Sequence, residues 1–181
     1  MNMSRESRKI RSLVAFRWVI YASILAVFLP IVWMWADPGT FSLVSDTRLV
    51  DQFGGFDRLL LWQRIGGFIV TGLPAALFTW ALLCLLPLIR MAERGDWFNA
   101  ASERYCFRAG KLLLWHALVR WLSDTALVLV LTATNPPGER ALMVNVGSDD
   151  LLSLIPALMA LCIAHMMRIG RAQREELNEI I

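Results

Sequence analysis

The chain has 181 residues, of which 57% are hydrophobic and only 18% are charged, and its formal net charge is +3. Soluble globular domains average about 25% charged residues, so this composition argues against an ordinary soluble fold. The apolar residues form four long runs separated by charged stretches that contain Pro and Gly. This pattern predicts an all-α integral membrane protein, a four-helix bundle that forms one domain over residues 1–181.

The predicted spans lie at about 16–35, 65–89, 112–132 and 151–167. The first span follows a basic head, but it is about twice as long as a signal-peptide core and lacks a small-x-small cleavage pattern. We therefore expect an uncleaved first span. Three of the spans contain prolines, which we expect to kink the helices for packing, with a gating hinge as the alternative. These prolines are Pro30, Pro74, Pro87 and Pro156.

The connection between the second and third spans, residues 90–111, is the most structured of the predicted connections. Gly95 is suited to end the helix of the second span, and Asp96 or Asn99 is suited to cap a new helix. This pattern predicts a separate amphipathic helix that joins the two spans along the membrane surface.

Three aromatic residues of this connection, Trp97, Phe98 and Tyr105, fall on one face of the helical projection. Aromatic side chains at this position are typical of the membrane interface. We interpret the face either as an architectural element between two spans or as a docking surface for a cytoplasmic partner.

The distribution of basic residues predicts the orientation of the chain in the membrane. Thirteen of the 18 Lys and Arg residues lie in the head (1–17), the inner connection (90–111) and the tail (168–181), and four lie in the outer connections. Because basic residues accumulate in cytoplasmic loops, both termini and the inner connection are predicted to lie in the cytoplasm.

The third predicted span carries a stripe of ionisable residues, His116, Arg120 and Asp124, spaced four residues apart. This spacing places them on one face of a helix. A lone charge inside the bilayer is costly, so we expect Arg120 and Asp124 to pair and to face the interior of the bundle. The stripe is a candidate for proton transfer, ligand binding or gating, and the alternative is a structural ion pair.

The sequence provides little support for catalysis or for a bound cofactor. His116 and His165 are predicted to lie at a similar depth, but polar residues near the interface are a simpler interpretation than a metal or haem site. None of the three cysteines belongs to a CxxC motif. The sequence also contains no GxGxxG, P-loop, HExxH or GxSxG motif. We expect no enzymatic activity, no cofactor, no metal and no direct contact with nucleic acid.

Two stretches resemble a known family of bacterial membrane proteins. Arg94-Gly-Asp-Trp-Phe-Asn99 is similar to the central motif of domain-of-unknown-function family 2975. The tail, Arg168-Ile-Gly-Arg-Ala-Gln-Arg-Glu-Glu-Leu-Asn-Glu-Ile-Ile181, is similar to the ending of that family. The resemblance implies a small inner-membrane protein, often encoded beside small helix-turn-helix regulators, and it implies no catalytic residues.

Two functional hypotheses follow from these observations. The first is a non-enzymatic regulatory or sensory protein of the bacterial inner membrane that binds a cytoplasmic partner, such as a small helix-turn-helix regulator. The second is a small transporter or proton-coupled channel subunit that uses the polar stripe. Four spans are few for a transport path, so the second hypothesis requires a homo-oligomer in the bilayer.

Overall fold

A computed structural model describes residues 3–37, 59–94, 99–134 and 148–179, and nearly all of these residues are helical. Its four helices are α1 (Met3–Ala36), α2 (Leu61–Glu93), α3 (Ala100–Thr132) and α4 (Ser148–Glu179). The described segments contain no β-strand. The predicted all-α class is confirmed, and so are the four helices that are apolar enough to span a membrane.

Each helix contains a segment long and apolar enough to cross a membrane, namely Ala15–Ala36, Leu61–Glu93, Ala100–Thr132 and Asp150–Gln173. Only 11% to 17% of the most apolar window of each helix is buried within the protein. Large apolar side chains such as Trp18 and Leu61 are instead 71% and 74% exposed. Outward-facing apolar surface of this extent is suited to lipid, as expected for a multi-pass membrane protein.

The helices pack in chain order and alternate in direction. The most extensive contact joins α2 and α3, α4 packs on α3, and α1 packs on α2. An ion pair of 2.6 Å joins Arg17 of α1 to Glu93 of α2, and another of 3.3 Å joins Arg171 of α4 to Glu103 of α3. These four residues therefore mark one end of the bundle, which we call the basic end.

Small residues allow close approach between neighbouring helices. A Cβ atom added at Gly67 of α2 would overlap the indole ring of Trp35 in α1, and one added at Gly110 of α3 would lie 2.8 Å from the Leu161 side chain of α4. The Trp35 indole also donates a hydrogen bond of 3.0 Å to Thr71 Oγ1. Close packing of this kind is typical of membrane helices, where small residues let backbones approach.

A single buried side chain joins the ends of α2 and α3 at the opposite end of the bundle. Gln63 is 1% exposed, and its Oε1 accepts a hydrogen bond of 2.9 Å from the backbone N–H of Leu60. Its Nε2 lies 3.2 Å and 3.0 Å from the carbonyl oxygens of Val130 and Leu131 and 3.1 Å from Thr134 Oγ1. Gln63 thereby satisfies backbone groups that helix ends leave without intrahelical partners.

The prediction of a separate helix between the second and third spans is wrong. The Asn99 side chain does cap a helix, since it accepts hydrogen bonds of 2.7 Å and 2.9 Å from the N–H groups of Ala101 and Ser102. That helix, however, is α3 itself, which continues without a break to Thr132. The reason is that the charged residues of its first turns are good helix formers, so helical structure extends beyond the apolar segment.

The helices are longer than the predicted spans. α2 begins at Leu61 rather than at residue 65, and α4 continues to Glu179 rather than ending near residue 167. The four prolines lie inside α1, α2 and α4, as predicted. Neighbouring helices and local adjustments allow membrane helices to accommodate such prolines.

Candidate functional site

A groove of about 400 Å³ lies between α1, α2 and α3, and all three residues of the predicted polar stripe line it. Its lining comprises Val27 of α1, Thr71, Pro74, Ala75 and Phe78 of α2, and His116, Arg120, Ser123, Asp124 and Leu127 of α3. We call it the polar groove. Its volume falls within the range of about 300–1,000 Å³ that is usual for small-molecule sites.

His116 is held in a defined orientation at the wall of the polar groove. Its Nδ1 lies 2.8 Å from the carbonyl oxygen of Pro74, and its ring centroid lies 5.3 Å from that of Phe78. A carbonyl oxygen only accepts hydrogen bonds, so we assign the proton to Nδ1. In the neutral ring this leaves Nε2 as an acceptor that does not take part in the contact with α2.

Arg120 and Asp124 both line the groove, but they do not form the predicted ion pair. Within the described residues, no contact of 4.0 Å or less joins the guanidinium to the carboxylate, and neither group makes a hydrogen bond. The four-residue spacing permits an ion pair on a helix but does not require the rotamers that form it. Arg120 and Asp124 still act on each other electrostatically, and both residues are exposed rather than turned to the interior of the bundle as predicted.

The two ends of the polar groove differ in electrostatic character. Arg120 lies toward the basic end, one helical turn from His116. Asp124 lies one turn farther along, where the negative charge of Asp150 in α4 and the positive charge of Arg120 both act on it. Positive and negative potential are consequently separated along the α3 face of the groove.

The hydroxyl groups of the groove already donate hydrogen bonds to backbone carbonyls. Ser123 Oγ donates to Val119 O at 2.7 Å, and Thr71 Oγ1 donates to Gly67 O at 2.9 Å while accepting from Trp35. The hydroxyl of Ser123 retains acceptor capacity toward the groove. Arg120 is therefore the strongest donor in the lining, and Asp124 is the strongest acceptor.

The structure separates the two histidines. His165 lines a different cavity of about 120 Å³ between α3 and α4 at the basic end, together with Phe107 and Arg168. His116 lies in the polar groove on another side of α3. No group of three or more His, Cys, Asp or Glu side chains suited to a metal ion occurs among the described residues.

Only part of the predicted docking face lies in the described structure. Tyr105 is half-buried in the early turns of α3, whereas Trp97 and Phe98 lie outside the described residues. The adjacent surface is basic, since Arg104 and Arg108 are both exposed. Its potential use as a docking surface remains a prediction.

Comparison with known families assigns the chain to one of them. The family described as Protein of unknown function (DUF2975) matches residues 60–181. The chain belongs to this family. The match begins next to the first residue of α2 and includes α3, α4 and the whole polar stripe. No curated protein and no solved structure matches the chain significantly.

Membership in DUF2975 confirms the resemblance drawn from the central motif and the tail. The α2 side of the polar groove was not among the residues predicted from the sequence. Thr71, Pro74 and Phe78 line it together with the stripe, and Pro74 supplies the carbonyl that orients His116. Their spacing of three and four residues was the available signal, because it places them on one helical face.

Proposed function

We propose that this DUF2975 protein is a non-enzymatic regulatory or sensory protein of the bacterial inner membrane. Both termini and the connection between α2 and α3 lie in the cytoplasm, and the basic end binds a cytoplasmic partner such as a small helix-turn-helix regulator. The observation that carries this proposal is the length of the helices. α3 has 33 residues and α4 has 32.

Helices of this length are about 50 Å long, whereas the hydrocarbon core of a bilayer is about 30 Å thick. The excess of α4 lies at the basic end, because its apolar segment ends at Gln173 and the helix continues to Glu179. The excess of α3 includes its first turns, which carry Glu103 and Arg104. Two helices that extend beyond the membrane provide a surface for a soluble partner.

Charge supports the cytoplasmic placement of this surface. Thirteen of the 18 basic residues lie in segments that adjoin the basic end, which is the distribution expected of a cytoplasmic side. The ion pair between Arg171 and Glu103 joins the two extended helix ends. A partner would therefore meet a preformed pair of helices rather than two independent segments.

Affinity purification from native membranes tests this role. We expect the wild-type protein to recover a small helix-turn-helix protein, and a variant with Ala at Trp97, Phe98 and Tyr105 to lose it. Trp115→Ala is the matched control, because Trp115 is an aromatic residue within the α3 span and is 60% exposed. Failure of the wild-type protein to recover any cytoplasmic protein would refute the role.

Reporter fusions test the orientation separately. A cytoplasmic reporter should be active when it is fused to the C-terminus and inactive when it is inserted in the connection 133–147. The opposite pattern would place the basic end outside the cytoplasm and would contradict the proposed partner.

A second candidate function is a small oligomeric transporter or proton-coupled channel subunit. The accessible Arg120 and Asp124 side chains in the polar groove favour it, because intramembrane ionisable residues commonly mark transport paths. Asp124→Asn should then abolish pH-dependent flux in liposomes while leaving the protein folded. A variant that only lowers thermal stability would instead indicate a structural role for Asp124.

A further inference from the structure

The separated charges of the polar groove indicate the chemistry of a ligand. Arg120 and Asp124 are four residues apart on α3, which corresponds to a rise of about 6 Å along the helix. Both line the same cavity and act on each other electrostatically, but no contact of 4.0 Å or less joins the two side chains in the described part of the chain. A charge inside a membrane protein is costly unless it is paired, so a ligand that pairs with both groups would be favoured.

We propose that the polar groove binds a zwitterion with a phosphate group at Arg120 and a primary ammonium group at Asp124. This inference rests on the sensory role proposed above and specifies the ligand that the sensor would detect. A purely anionic ligand would be repelled by Asp124, and a purely cationic one by Arg120. A zwitterion matches both charges in one orientation.

The surroundings of each charge favour the same orientation of the ligand. Arg120 is a planar guanidinium suited to bidentate contact with phosphate or carboxylate oxygens. Asp150 interacts electrostatically with Asp124 and adds negative charge at that end, which favours an ammonium group. Val27, Phe78 and Leu127 provide apolar walls for the uncharged part of the ligand.

Phosphatidylethanolamine and soluble O-phosphoethanolamine share this chemistry, and two arms of one experiment distinguish them. In the first arm, the full chain is reconstituted in vesicles of equal parts phosphatidylethanolamine, phosphatidylcholine and phosphatidylglycerol. The protein is then extracted with a mild detergent, and its bound lipids are counted by mass spectrometry. Phosphatidylcholine has no ammonium N–H to donate, and phosphatidylglycerol has no ammonium at all.

If the ligand is the lipid, phosphatidylethanolamine should be enriched about tenfold over the other two lipids, the difference expected from one charge-assisted hydrogen bond. Asp124→Asn should reduce the enrichment to near unity, because Asp124 contacts the group that differs among the three lipids. Arg120→Gln should instead reduce the total amount of bound lipid, because all three lipids carry a phosphate. Lys111→Gln is the matched control, because Lys111 is an exposed charged residue of α3 outside the groove. Arg120→Lys should retain part of the bound lipid, which separates loss of binding from loss of folding.

In the second arm, O-phosphoethanolamine is titrated into the detergent-solubilised protein and thermal unfolding is followed. If the ligand is soluble, the wild-type and Lys111→Gln proteins should be stabilised, and Arg120→Gln and Asp124→Asn should not. Equal retention of the three lipids together with no stabilisation by O-phosphoethanolamine would overturn the proposal. Recovery of the cytoplasmic partner in that case would leave the regulatory role intact, so the two failures are distinguishable.

Discussion

Gln63 provides the sharpest test of how the bundle is held together. Its side chain is buried, and it contacts the start of α2 and the end of α3 at the same time. Replacement by Met preserves most of the side-chain volume and removes every hydrogen bond. The change therefore isolates the polar contribution of Gln63 from its packing.

The expected cost follows from the number of hydrogen bonds that are lost. Oε1 accepts one bond from Leu60, and Nε2 has two hydrogens to share among Val130 O, Leu131 O and Thr134 Oγ1. About three bonds are thus lost at about 0.6–1 kcal/mol each, which predicts a destabilisation of about 2–3 kcal/mol. The freed backbone groups lie at helix ends that make no intrahelical bonds to replace them.

The assay is reversible unfolding of the purified protein in mixed micelles, with helical circular dichroism as the signal. Gln173→Met is the matched control, because Gln173 is an exposed glutamine of α4 and should change the free energy of unfolding by less than about 0.5 kcal/mol. Gln63→Glu keeps the acceptor for Leu60 but places a carboxylate against two carbonyl oxygens, so it should be at least as destabilising as Met. Equal stability of Gln63→Met and Gln173→Met would refute the reasoning.

Three further predictions concern other contacts. Gly67→Ala should destabilise the protein by about 1–3 kcal/mol in the same unfolding assay, because the added Cβ would overlap the indole of Trp35 in α1. Gly72→Ala is the control and should be neutral or slightly stabilising, because no atom lies within 4 Å of the added Cβ. A double-mutant cycle on Arg17 and Glu93 should give a coupling energy below about 1 kcal/mol that declines at high salt, because both side chains are partly exposed; a larger, salt-independent value would contradict this. Nitrogen-15 NMR of the neutral His116 ring should find its proton on Nδ1, and a neutral ring protonated on Nε2 alone would exclude the bond to Pro74.

The number of membrane helices could be predicted from the sequence because it depends on long apolar runs alone. The full lengths of α3 and α4 could not be predicted in this way. Residues 100–111 are charged and aromatic, so hydropathy separates them from the third span, although they are helical and continuous with it. Asn99 was identifiable as a cap because capping depends on local residue type, whereas the helix that it caps depends on the following thirty residues.

The candidate site shows the same division between local and tertiary information. The spacing of His116, Arg120 and Asp124 placed them on one face, and they do line one groove. The expected ion pair was wrong because spacing limits which side chains can meet but does not select their rotamers. The contribution of Pro74 depends on how α2 and α3 pack against each other, and no pattern within either helix predicts that contact.

The relative positions of the two charges provide a final test of the groove. In a variant that exchanges them, with Arg120→Asp and Asp124→Arg, the net charge and the four-residue spacing are preserved. In the wild-type protein Asp150 repels Asp124, whereas in the exchanged variant it would attract the arginine at position 124. The exchange should therefore cost little stability. A structural role that needs only one cation and one anion on this face would survive the exchange.

A binding site for an oriented zwitterion would not survive it, because the anionic group of the ligand would meet a carboxylate at position 120. We therefore expect the exchanged variant to unfold at nearly the wild-type temperature and to lose the enrichment of phosphatidylethanolamine or the stabilisation by O-phosphoethanolamine. If the exchanged variant kept both the wild-type unfolding temperature and the ligand effect, the order of the charges would be irrelevant. The groove would then require two compensating charges but would not distinguish the two ends of a ligand.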